Sequence, residues 1–341
     1  MASTMQRWIM NATGRQHLQL IRDQIPQPGP HQVRVKVTAV ALNYRDKMLI
    51  EGLMPIEASM PFTPASDMAG EVDLVGACAT RFRPGDRVIS NFAPGWIDGK
   101  LTGNARMPSN PTLGAHYQGV LAEYIVVDEN WLSAAPQTLD DTQASTLPTA
   151  GLTAWFALIE RGQLHAGQTV LVQGTGGVAL FALQIAKAHG AQVYITSASE
   201  QKLQLARQLG ADYGINRLQE DWVDSLYALT QERGIDHVID TVGGTNLANS
   251  LRAVAIHGRI SVIGSLAGIE LAGSTGLLLL KSPVIQGIGV GHRRALEDLV
   301  RAVDANGLQP VIDQCYQLDQ LPEALAHLDR GAFGKIVITL A

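Results

Sequence analysis

The sequence predicts an α/β protein in which a doubly wound parallel sheet is joined to a second, β-rich domain. Up to about residue 127, apolar and polar residues alternate as in half-buried strands. From about residue 145, nearly all-apolar strands alternate instead with amphipathic helices, the pattern of a parallel sheet. With 341 residues, the chain is long enough for two compact domains.

The N-terminal part contains four predicted strands and one long loop. The strands are Val33–Val37, prolonged to Val40, then Gly70–Gly76, then Arg83–Ile89, where a Pro-Gly turn leads into the strand, and Gly119–Val127. Between the last two, Ala93–His116 is rich in Gly, Pro and Asn and predicts an irregular loop. Loops of that length are uncommon without a role, so we expect it to wall or cover a site.

The second part predicts five strands in alternation with helices. The strands are Val170–Gln173, Gln192–Thr196, His237–Asp240, Arg259–Ile263 and Pro283–Ile288, and the helices are Val178–His189 and Glu200–Leu209. Helices Glu297–Asn306 and Leu321–Leu328 and a closing strand Lys335–Leu340 follow. The most apolar stretch, Thr275–Leu280, is interpreted as a buried strand or an interface.

Composition excludes several classes of function. The net charge of −5 argues against a nucleic-acid-binding surface. No run approaches the roughly 18–20 apolar residues of a membrane span, and residues 1–10 do not resemble a secretory signal. Two cysteines rule out a four-cysteine zinc cluster and make a disulfide framework unlikely to form. A cytoplasmic globular protein is expected.

The sequence Gly174-Thr175-Gly176-Gly177-Val178-Ala179 follows a predicted strand and opens a predicted helix. In this G-x-G-x-x-A order, the first glycine permits a tight turn, the second a close approach to a pyrophosphate, and the alanine close packing of helix on strand. The helix N-terminus offers free N–H groups to that pyrophosphate. A glycine-rich turn that binds nothing is the alternative. We therefore expect a nicotinamide-dependent oxidoreductase.

The end of the second parallel strand decides between NADH and NADPH. An NADH site usually has an Asp or Glu about 20 residues after the motif, bound to the ribose 2′-hydroxyl. Here that position is the neutral Ser197, and Ser199 and Lys202, which follow it, suit a 2′-phosphate. Glu200 is a counter-signal unless it only begins a helix, and Ser199 could equally be an N-cap. NADPH is favoured, with NADH as the alternative.

Further motifs occur in order over nearly the whole chain. They are Ala41–Asp46, Pro64–Val72, Gly85–Val88, Leu147–Trp155, Gly210–Asp212, Asp236–Gly244, Gly258–Ile260 and Phe333–Lys335. With the glycine motif, they resemble the medium-chain dehydrogenase/reductase superfamily, in its zinc-independent, quinone-oxidoreductase-like or alcohol dehydrogenase-like branch. The resemblance implies a GroES-like β-rich domain over residues 1–130, completed by 294–341, and a Rossmann dinucleotide-binding domain over 131–293, with the active site in the cleft between.

The resemblance also implies that no zinc is bound. Zinc-dependent members hold the metal with a Cys, a His and a second Cys where this chain has Asn43, Ser66 and Thr149. None of these is a good zinc ligand. Asp67 stands where such members have a Glu, but one carboxylate does not make a zinc site.

Three candidate catalytic residues follow from the resemblance, which puts Asn43, Tyr44 and Arg45 beside the nicotinamide. A metal-free site still needs a donor for the developing oxyanion. Tyr44 could donate a proton or a hydrogen bond, and Arg45 could stabilise negative charge. The alternatives are a packed aromatic for Tyr44 and, for Arg45, a partner of Asp46 or Asp67.

The expected cofactor contacts lie in the motif, at later strand ends and in flanking segments. They are Gly174, Thr175, Gly176, Gly177, Val178, Ser197, Ser199, Lys202, Asn216, Arg217, Val242, Gly264, Ser265, Leu266, Gly289, Val290, Thr149, Thr153 and Lys335. The glycines could instead form ordinary turns, the two threonines could cap a helix, and the lysine could pair with an acid. His116 and His292 are noted without a role.

The leading hypothesis is a zinc-independent NADPH-dependent oxidoreductase that transfers hydride to a carbonyl, quinone or activated alkene. The alternatives are a metal-free NAD(P)-dependent alcohol dehydrogenase and a non-enzymatic NADPH-binding protein that senses NADPH or binds a partner. An apolar small-molecule substrate is expected, because Tyr44, Met48, Pro55–Pro61, parts of the long loop and residues near Leu277 would line its site. A homodimer formed through the Rossmann domain is also expected.

Overall fold

The computed structural model describes residues 4–340, which form two compact units. The first contains the residues up to Leu152 and those from Gly291 onward, and the second is Thr153–Val290. The strands are β1 (Thr4–Met10), β2 (Leu18–Gln24), β3 (Gln32–Leu42), β4 (Asp67–Val75), β5 (Arg87–Ser90), β6 (Thr102–Gly103), β7 (Pro108–Ser109), β8 (Tyr124–Asp128), β9 (Leu132–Ala134), β10 (Thr169–Gln173), β11 (Gln192–Ser197), β12 (Tyr213–Asn216), β13 (Ile235–Asp240), β14 (Val254–Val262), β15 (Val284–Gly287), β16 (Ile312–Gln317) and β17 (Lys335–Thr339). The helices are α1 (Tyr44–Ile50), α2 (Asp141–Ala144), α3 (Leu152–Trp155), α4 (Gly177–Ala188), α5 (Glu200–Gln208), α6 (Trp222–Thr230), α7 (Leu247–Ala253), α8 (Thr275–Lys281), α9 (Arg293–Asn306) and α10 (Leu321–Arg330).

The second unit is built on a six-stranded parallel sheet with the order β12-β11-β10-β13-β14-β15. The order reverses direction between β10 and β13, so the sheet is doubly wound, as predicted. The central strand β10 is buried along its whole length, which explains its nearly continuous apolar sequence. The carboxyl ends of the parallel strands meet at one edge of this sheet, where the glycine motif lies.

The first unit contains the predicted β-rich domain. Its seven-stranded sheet has the order β16-β17-β3-β4-β5-β9, and β8 also pairs with β3. Strand β3 buries Val33, Val35 and Val37 on one face, in agreement with the alternating pattern. The C-terminal strand β17 pairs antiparallel with β3, so that Ile336 lies opposite Leu42. This pairing brings Lys335 next to Asn43.

The first unit extends beyond the boundary expected at residue 130. Strand β9 pairs with β5, and the Arg87 Nε donates a hydrogen bond of 2.9 Å to Asp141 Oδ1 on α2. Asp141 Oδ2 also accepts from the Thr38 hydroxyl at 2.6 Å. These contacts tie the segment up to Leu152 to the β-rich sheet.

The interpretation of Thr275–Leu280 as a buried strand is wrong. This stretch forms helix α8, whose N-cap Ser274 accepts a hydrogen bond of 3.3 Å from the Leu277 N–H. Leu279 and Leu280 are 71% and 80% exposed. The leucine run alone is compatible with a strand, but the N-cap residue Ser274 favours a helix.

Two further features were not predicted or were only partly predicted. Strands β1 and β2 form an antiparallel pair that the sequence pattern does not reveal, because the burial of β1 does not alternate. The loop Ala93–His116 is irregular as predicted, apart from the short pairing of β6 with β7. None of the helices between residues 4 and 340 combines the length and hydrophobicity that a bilayer-spanning segment needs.

Candidate cofactor site and candidate active site

The glycine motif forms the turn between β10 and α4. Gly174 adopts φ of 87°, a left-handed conformation that favours glycine, and its N–H donates to Thr196 O at 2.9 Å. Gly176 is the N-cap residue of α4, and no side chain caps this helix. A Cβ added to Gly176 would meet no atom within 4 Å. Protein packing therefore does not require this glycine, and the open space beside the free N–H groups of Gly177 and Val178 fits a pyrophosphate.

The carboxyl ends of β11 and β12 bring together the residues predicted for the adenosine end of the cofactor. Ser197 and Asn216 lie opposite each other, and the Arg217 N–H donates to Ser197 O at 3.0 Å. Ser199 is the N-cap of α5 and accepts from the Lys202 N–H at 3.3 Å. The carboxylate of Glu200 pairs with Arg207 at 3.2 Å.

The remaining predicted contacts of the second unit follow β13, β14 and β15. Val242 and Gly243 donate to Asp240 Oδ1 at 3.0 and 2.8 Å. A Cβ on Gly264 would lie 1.8 Å from Thr241 O, so close backbone packing requires that glycine. Val290 adopts φ of 69°, a strained conformation for a β-branched residue and one that clusters at functional sites. Ser265, Leu266 and Gly289 are exposed nearby in the chain. The cofactor contacts themselves stay predictions.

A buried cluster of charges lies in the first unit around Lys335. Lys335 is 4% exposed, and its ammonium donates to Leu42 O and Asn43 Oδ1, both at 2.6 Å. Burial lowers the pKa of Lys335, while the carboxylates of Asp67 and Asp46 oppose this shift. The ammonium is therefore the central cation of a pocket that holds two buried carboxyl groups.

The Asn43 side chain is fixed by this lysine. Only the amide oxygen can accept from the ammonium, so Nδ2 must point away from Lys335. Nδ2 is buried and has no hydrogen-bond partner among residues 4–340. The Asn43 backbone N–H donates to Asp46 Oδ2 at 2.8 Å, and this bond holds the start of α1. Asn43 therefore presents an oriented donor that the protein itself does not use.

Asp67 accepts hydrogen bonds from Ser66 and Thr149, the two positions that were compared with zinc ligands together with Asn43. Its Oδ1 accepts from the Ser66 hydroxyl at 2.6 Å and from the Thr149 hydroxyl at 2.7 Å. Its Oδ2 accepts from the Thr149 N–H at 2.9 Å. Thr149 lies inside the wide helical turn Leu147–Gly151 and does not cap a helix. Ser66, Asp67 and Thr149 thus form one hydrogen-bonded group.

Tyr44 and Arg45 have different surroundings on α1. Tyr44 is 45% exposed, which argues against the packed-aromatic alternative, and the Lys47 ammonium lies 5.3 Å from its ring centre. Arg45 donates to Thr112 Oγ1 at 2.5 Å and to Leu113 O at 3.3 Å, and it stacks over Phe92. Arg45 therefore binds the long loop, not the carboxylates that were its expected alternative partners.

The buried Asp46 predicts a measurable pH dependence. Burial, reinforced by the negative charge of Asp67, raises the pKa of Asp46 from 3.8 to about 6. In the unfolded chain this carboxyl ionises at lower pH, so its contribution to stability is present below about pH 4 and is lost as the pH rises to about 6. The variant Asp46→Asn has no ionisable carboxyl at this position, so its stability does not decrease in this way as the pH rises.

We therefore expect the unfolding free energy of Asp46→Asn minus that of the wild type to increase between pH 4.5 and pH 7 and to stay constant above. Urea denaturation across this pH range measures the difference. A difference that does not change with pH would contradict the assignment.

His116 and His292, the two histidines noted above without a role, have structural contacts. His292 is the N-cap of α9, where its Nδ1 accepts from the Ala295 N–H at 3.0 Å, and His116 Nδ1 accepts from the Thr112 N–H at 3.2 Å. Cys78 and Cys315 are exposed, unpaired thiols in the described chain. No three His, Cys, Asp or Glu side chains in residues 4–340 come together as metal ligands would.

Sequence reasoning missed the roles of Asp46 and Lys335 as members of one cluster. Asp46 was considered only as a partner of Arg45, and Lys335 as a cofactor contact or the partner of an acid. Lys335 and Asn43 are 292 positions apart in the sequence. No local pattern could have joined them. A lysine at the start of an apolar closing strand was the only available signal.

Comparison with known proteins gives the family. Residues 29–137 match the alcohol dehydrogenase GroES-like domain, and residues 177–305 match the domain described as zinc-binding dehydrogenase. The chain is 36% identical to the zinc-type alcohol dehydrogenase-like protein of Schizosaccharomyces pombe, over 93% of both chains. It is 29% identical to the quinone oxidoreductase of Homo sapiens, over 93% of this chain and 91% of that protein.

A solved structure agrees with this result. The crystal structure of a presumed alcohol dehydrogenase from Sinorhizobium meliloti 1021 is 59% identical, covers 99% of both chains and superimposes with a TM-score of 0.97. The β-rich unit is therefore GroES-like and the parallel-sheet unit is a Rossmann domain, as the resemblance implied. The chain belongs to the medium-chain dehydrogenase/reductase superfamily and is an oxidoreductase of the nicotinamide-dependent type.

Proposed function

We propose that this protein is a zinc-independent NADPH-dependent reductase of a carbonyl, a quinone or an activated alkene. Bound NADPH supplies the hydride. The chain's own residues bind the pyrophosphate at Gly174–Val178 and the 2′-phosphate at Ser197, Ser199, Lys202 and Arg217. They also provide a donor for the oxygen that gains negative charge.

The observation that carries a catalytic function, beyond nucleotide binding alone, is the amide of Asn43. Its Oδ1 is held by the Lys335 ammonium at 2.6 Å, and its buried Nδ2 has no partner among the described residues. A fixed, unused donor is what a developing oxyanion needs, because it requires no reorganisation during the reaction. The hydroxyl of Tyr44, which is exposed, is the proposed proton donor.

A metal-free reaction is supported by the chemistry of the three positions where zinc-dependent members carry ligands. The Ser66 and Thr149 hydroxyls are already bonded to Asp67 Oδ1, and Asn43 Oδ1 accepts from Lys335. Hydroxyl and amide oxygens are poor ligands for Zn²⁺, and a buried ammonium beside them repels a cation. These residues do not fit a zinc ion.

NADPH oxidation against quinones, enones, aldehydes and ketones tests the proposal, with NADH and a chelator as controls. Turnover should survive the chelator. Asn43→Ala should lower kcat about 100-fold, since removal of one oxyanion donor typically has this effect. Retained NADPH binding without turnover of any substrate would favour a non-enzymatic NADPH sensor. Oxidation of alcohols without reduction of this panel would favour the alcohol dehydrogenase alternative.

The choice of NADPH gives a separate prediction. The Arg217 side chain forms no hydrogen bond or ion pair within residues 4–340, so its guanidinium is available to a phosphate, and Glu200 is paired with Arg207. The double variant Lys202→Gln/Arg217→Gln should raise the Kd for NADPH by at least about tenfold, through the loss of charge-assisted hydrogen bonds, and leave the Kd for NADH unchanged.

Fluorescence titration measures both constants, with Arg330→Gln, an exposed arginine of the first unit, as the control. Equal weakening of both nucleotides, or tighter binding of NADH by the wild type, would contradict the NADPH assignment.

A homodimer formed by the second unit is also proposed. Within residues 4–340, strand β15 pairs only with β14 and is therefore an edge strand of the parallel sheet. Leu279 and Leu280 on α8, and Val284 on β15, are exposed beside this edge. An exposed edge with apolar neighbours is covered most simply by a second copy related by a two-fold axis.

The variant Leu279→Asp/Leu280→Asp should shift the protein to monomer in light scattering coupled to size-exclusion chromatography. Leu53→Asp, an equally exposed leucine of the first unit, serves as the control. A wild type that is monomeric, or a dimer that survives the double substitution, would disprove this interface.

A further inference from the structure

A polar cavity lies in the Rossmann unit, at the end of the sheet opposite the glycine motif. Its volume is about 240 Å³, and its polar lining residues are Gln163, His165, Gln168, Asp236, His237, His257 and Arg259. They belong to the segment that precedes β10, to the start of β13 and to β14. The two ends of the five-residue strand β10 are about 13 Å apart, so this cavity is separate from the predicted pyrophosphate site.

Several acceptor atoms of this cavity are already used by the protein, although Asp236 Oδ1 and the Gln163 side-chain oxygen accept no hydrogen bond within residues 4–340. Gln168 Oε1 faces His237 Nε2 at 3.1 Å and accepts from the His165 backbone N–H at 2.8 Å. Asp236 Oδ2 accepts from the Thr169 N–H at 2.8 Å and from its hydroxyl at 2.9 Å. Burial lowers the pKa of His237 to about 4, so this ring is neutral and its Nε2–H is donated to Gln168.

The main donor groups of the cavity, in contrast, are not bonded to other residues of the protein. The Arg259 guanidinium and the imidazoles of His165 and His257 have no side-chain hydrogen bond or ion pair with any residue between 4 and 340. Arg259 lies opposite His237 in the β13–β14 register, beside the cavity floor. His257 adopts φ of 59°, a left-handed backbone conformation, and also lines the cavity.

A cavity whose unbonded donor groups outnumber its unbonded acceptors selects a ligand that is rich in acceptors. We propose that this cavity binds a phosphate-class oxyanion, either inorganic phosphate or a small phosphate ester. Arg259 supplies the charge and a forked pair of N–H donors, and His165 and His257 supply further N–H groups. The volume admits a phosphate with only a few attached atoms, which excludes a dinucleotide. The site neither requires the proposed reductase activity nor takes part in it.

Phosphate titration of the full chain with isotope-labelled histidine, followed by the ring signals in the NMR spectrum, tests the proposal. We expect saturable shifts of the His257 and His165 signals. Arg259→Gln should weaken binding about tenfold, the effect of losing hydrogen bonds to a charged group. His257→Gly should weaken it several-fold without harming the fold, because glycine suits a positive φ.

The double variant Lys202→Gln/Arg217→Gln is the control, since it removes cations only at the other end of the sheet. It should leave the titration unchanged. Glycerol phosphate as a second probe separates the two ligand sources: equal affinity indicates the free anion, and tighter binding indicates an ester. The absence of saturable shifts, or binding lost in the control but kept in both cavity variants, would overturn the proposal and leave the reductase assignment untouched.

Discussion

Gly176→Val should abolish cofactor binding and leave the fold intact. The glycine has an ordinary backbone conformation, and its added Cβ would contact no protein atom within 4 Å. The valine side chain would fill the space beside the free N–H groups at the start of α4. The loss of two or more hydrogen bonds to a charged pyrophosphate corresponds to a Kd for NADPH that is at least about 100-fold higher.

Thermal unfolding and fluorescence titration of the same samples measure the two effects. The melting temperature should be unchanged, as in the control Gly95→Ala, where an added Cβ also meets nothing. Gly174→Ala is the contrasting variant, because its φ of 87° makes any side chain strained and should lower stability as well. If Gly176→Val binds NADPH normally, the pyrophosphate does not bind at this turn.

Lys335→Met should destabilise the protein by about 3–5 kcal/mol, the usual effect of removing one partner from a buried set of charges. The substitution leaves Asp46 and Asp67 buried without their cation and Asn43 Oδ1 without a donor. Because Asn43 also loses its orientation, kcat should fall at least about tenfold in the fraction that remains folded. Urea denaturation and steady-state kinetics measure the two effects.

Lys281→Met is a matched control for this prediction. The Lys281 ammonium donates to Arg252 O and Val254 O, at 2.5 and 2.7 Å, but its pKa is lowered by burial without any opposing carboxylate. Its loss should therefore cost only about 1–2 kcal/mol. Equal destabilisation by the two substitutions would show that the carboxylates do not depend on Lys335. The double variant Lys335→Met/Asp67→Asn should recover part of the stability.

Local sequence patterns were sufficient for some of the elements that bury one face or both, but not for β12 or α6. The alternation of Val33, Val35 and Val37 predicted β3, and the glycine motif between two apolar strands predicted the start of α4. The leucines of Thr275–Lys281 were misinterpreted because a run of apolar residues has no period. The irregular burial of β1 concealed its pairing with β2 in the same way.

The site was less predictable than the fold. Ser197 was predicted from its place at the end of a parallel strand, whereas Asn216 and Arg217 came only from the family resemblance, and the strand β12 that brings them next to Ser197 was not predicted. The cluster of Asp46, Asp67 and Lys335 depends on the antiparallel pairing of β17 with β3, which joins the two ends of the chain. Pairing between distant strands is decided by tertiary packing, so no spacing in the sequence reveals it.

Titration of the purified protein with NADPH, and in parallel with NADH, tests most directly whether a dinucleotide lies across the first turn of α4. We expect saturable quenching with NADPH, a Kd at least about tenfold higher for NADH, and loss of the signal in Gly176→Val. If neither nucleotide binds even in large excess, the turn after Gln173 is only a turn, and the reductase proposal fails with it.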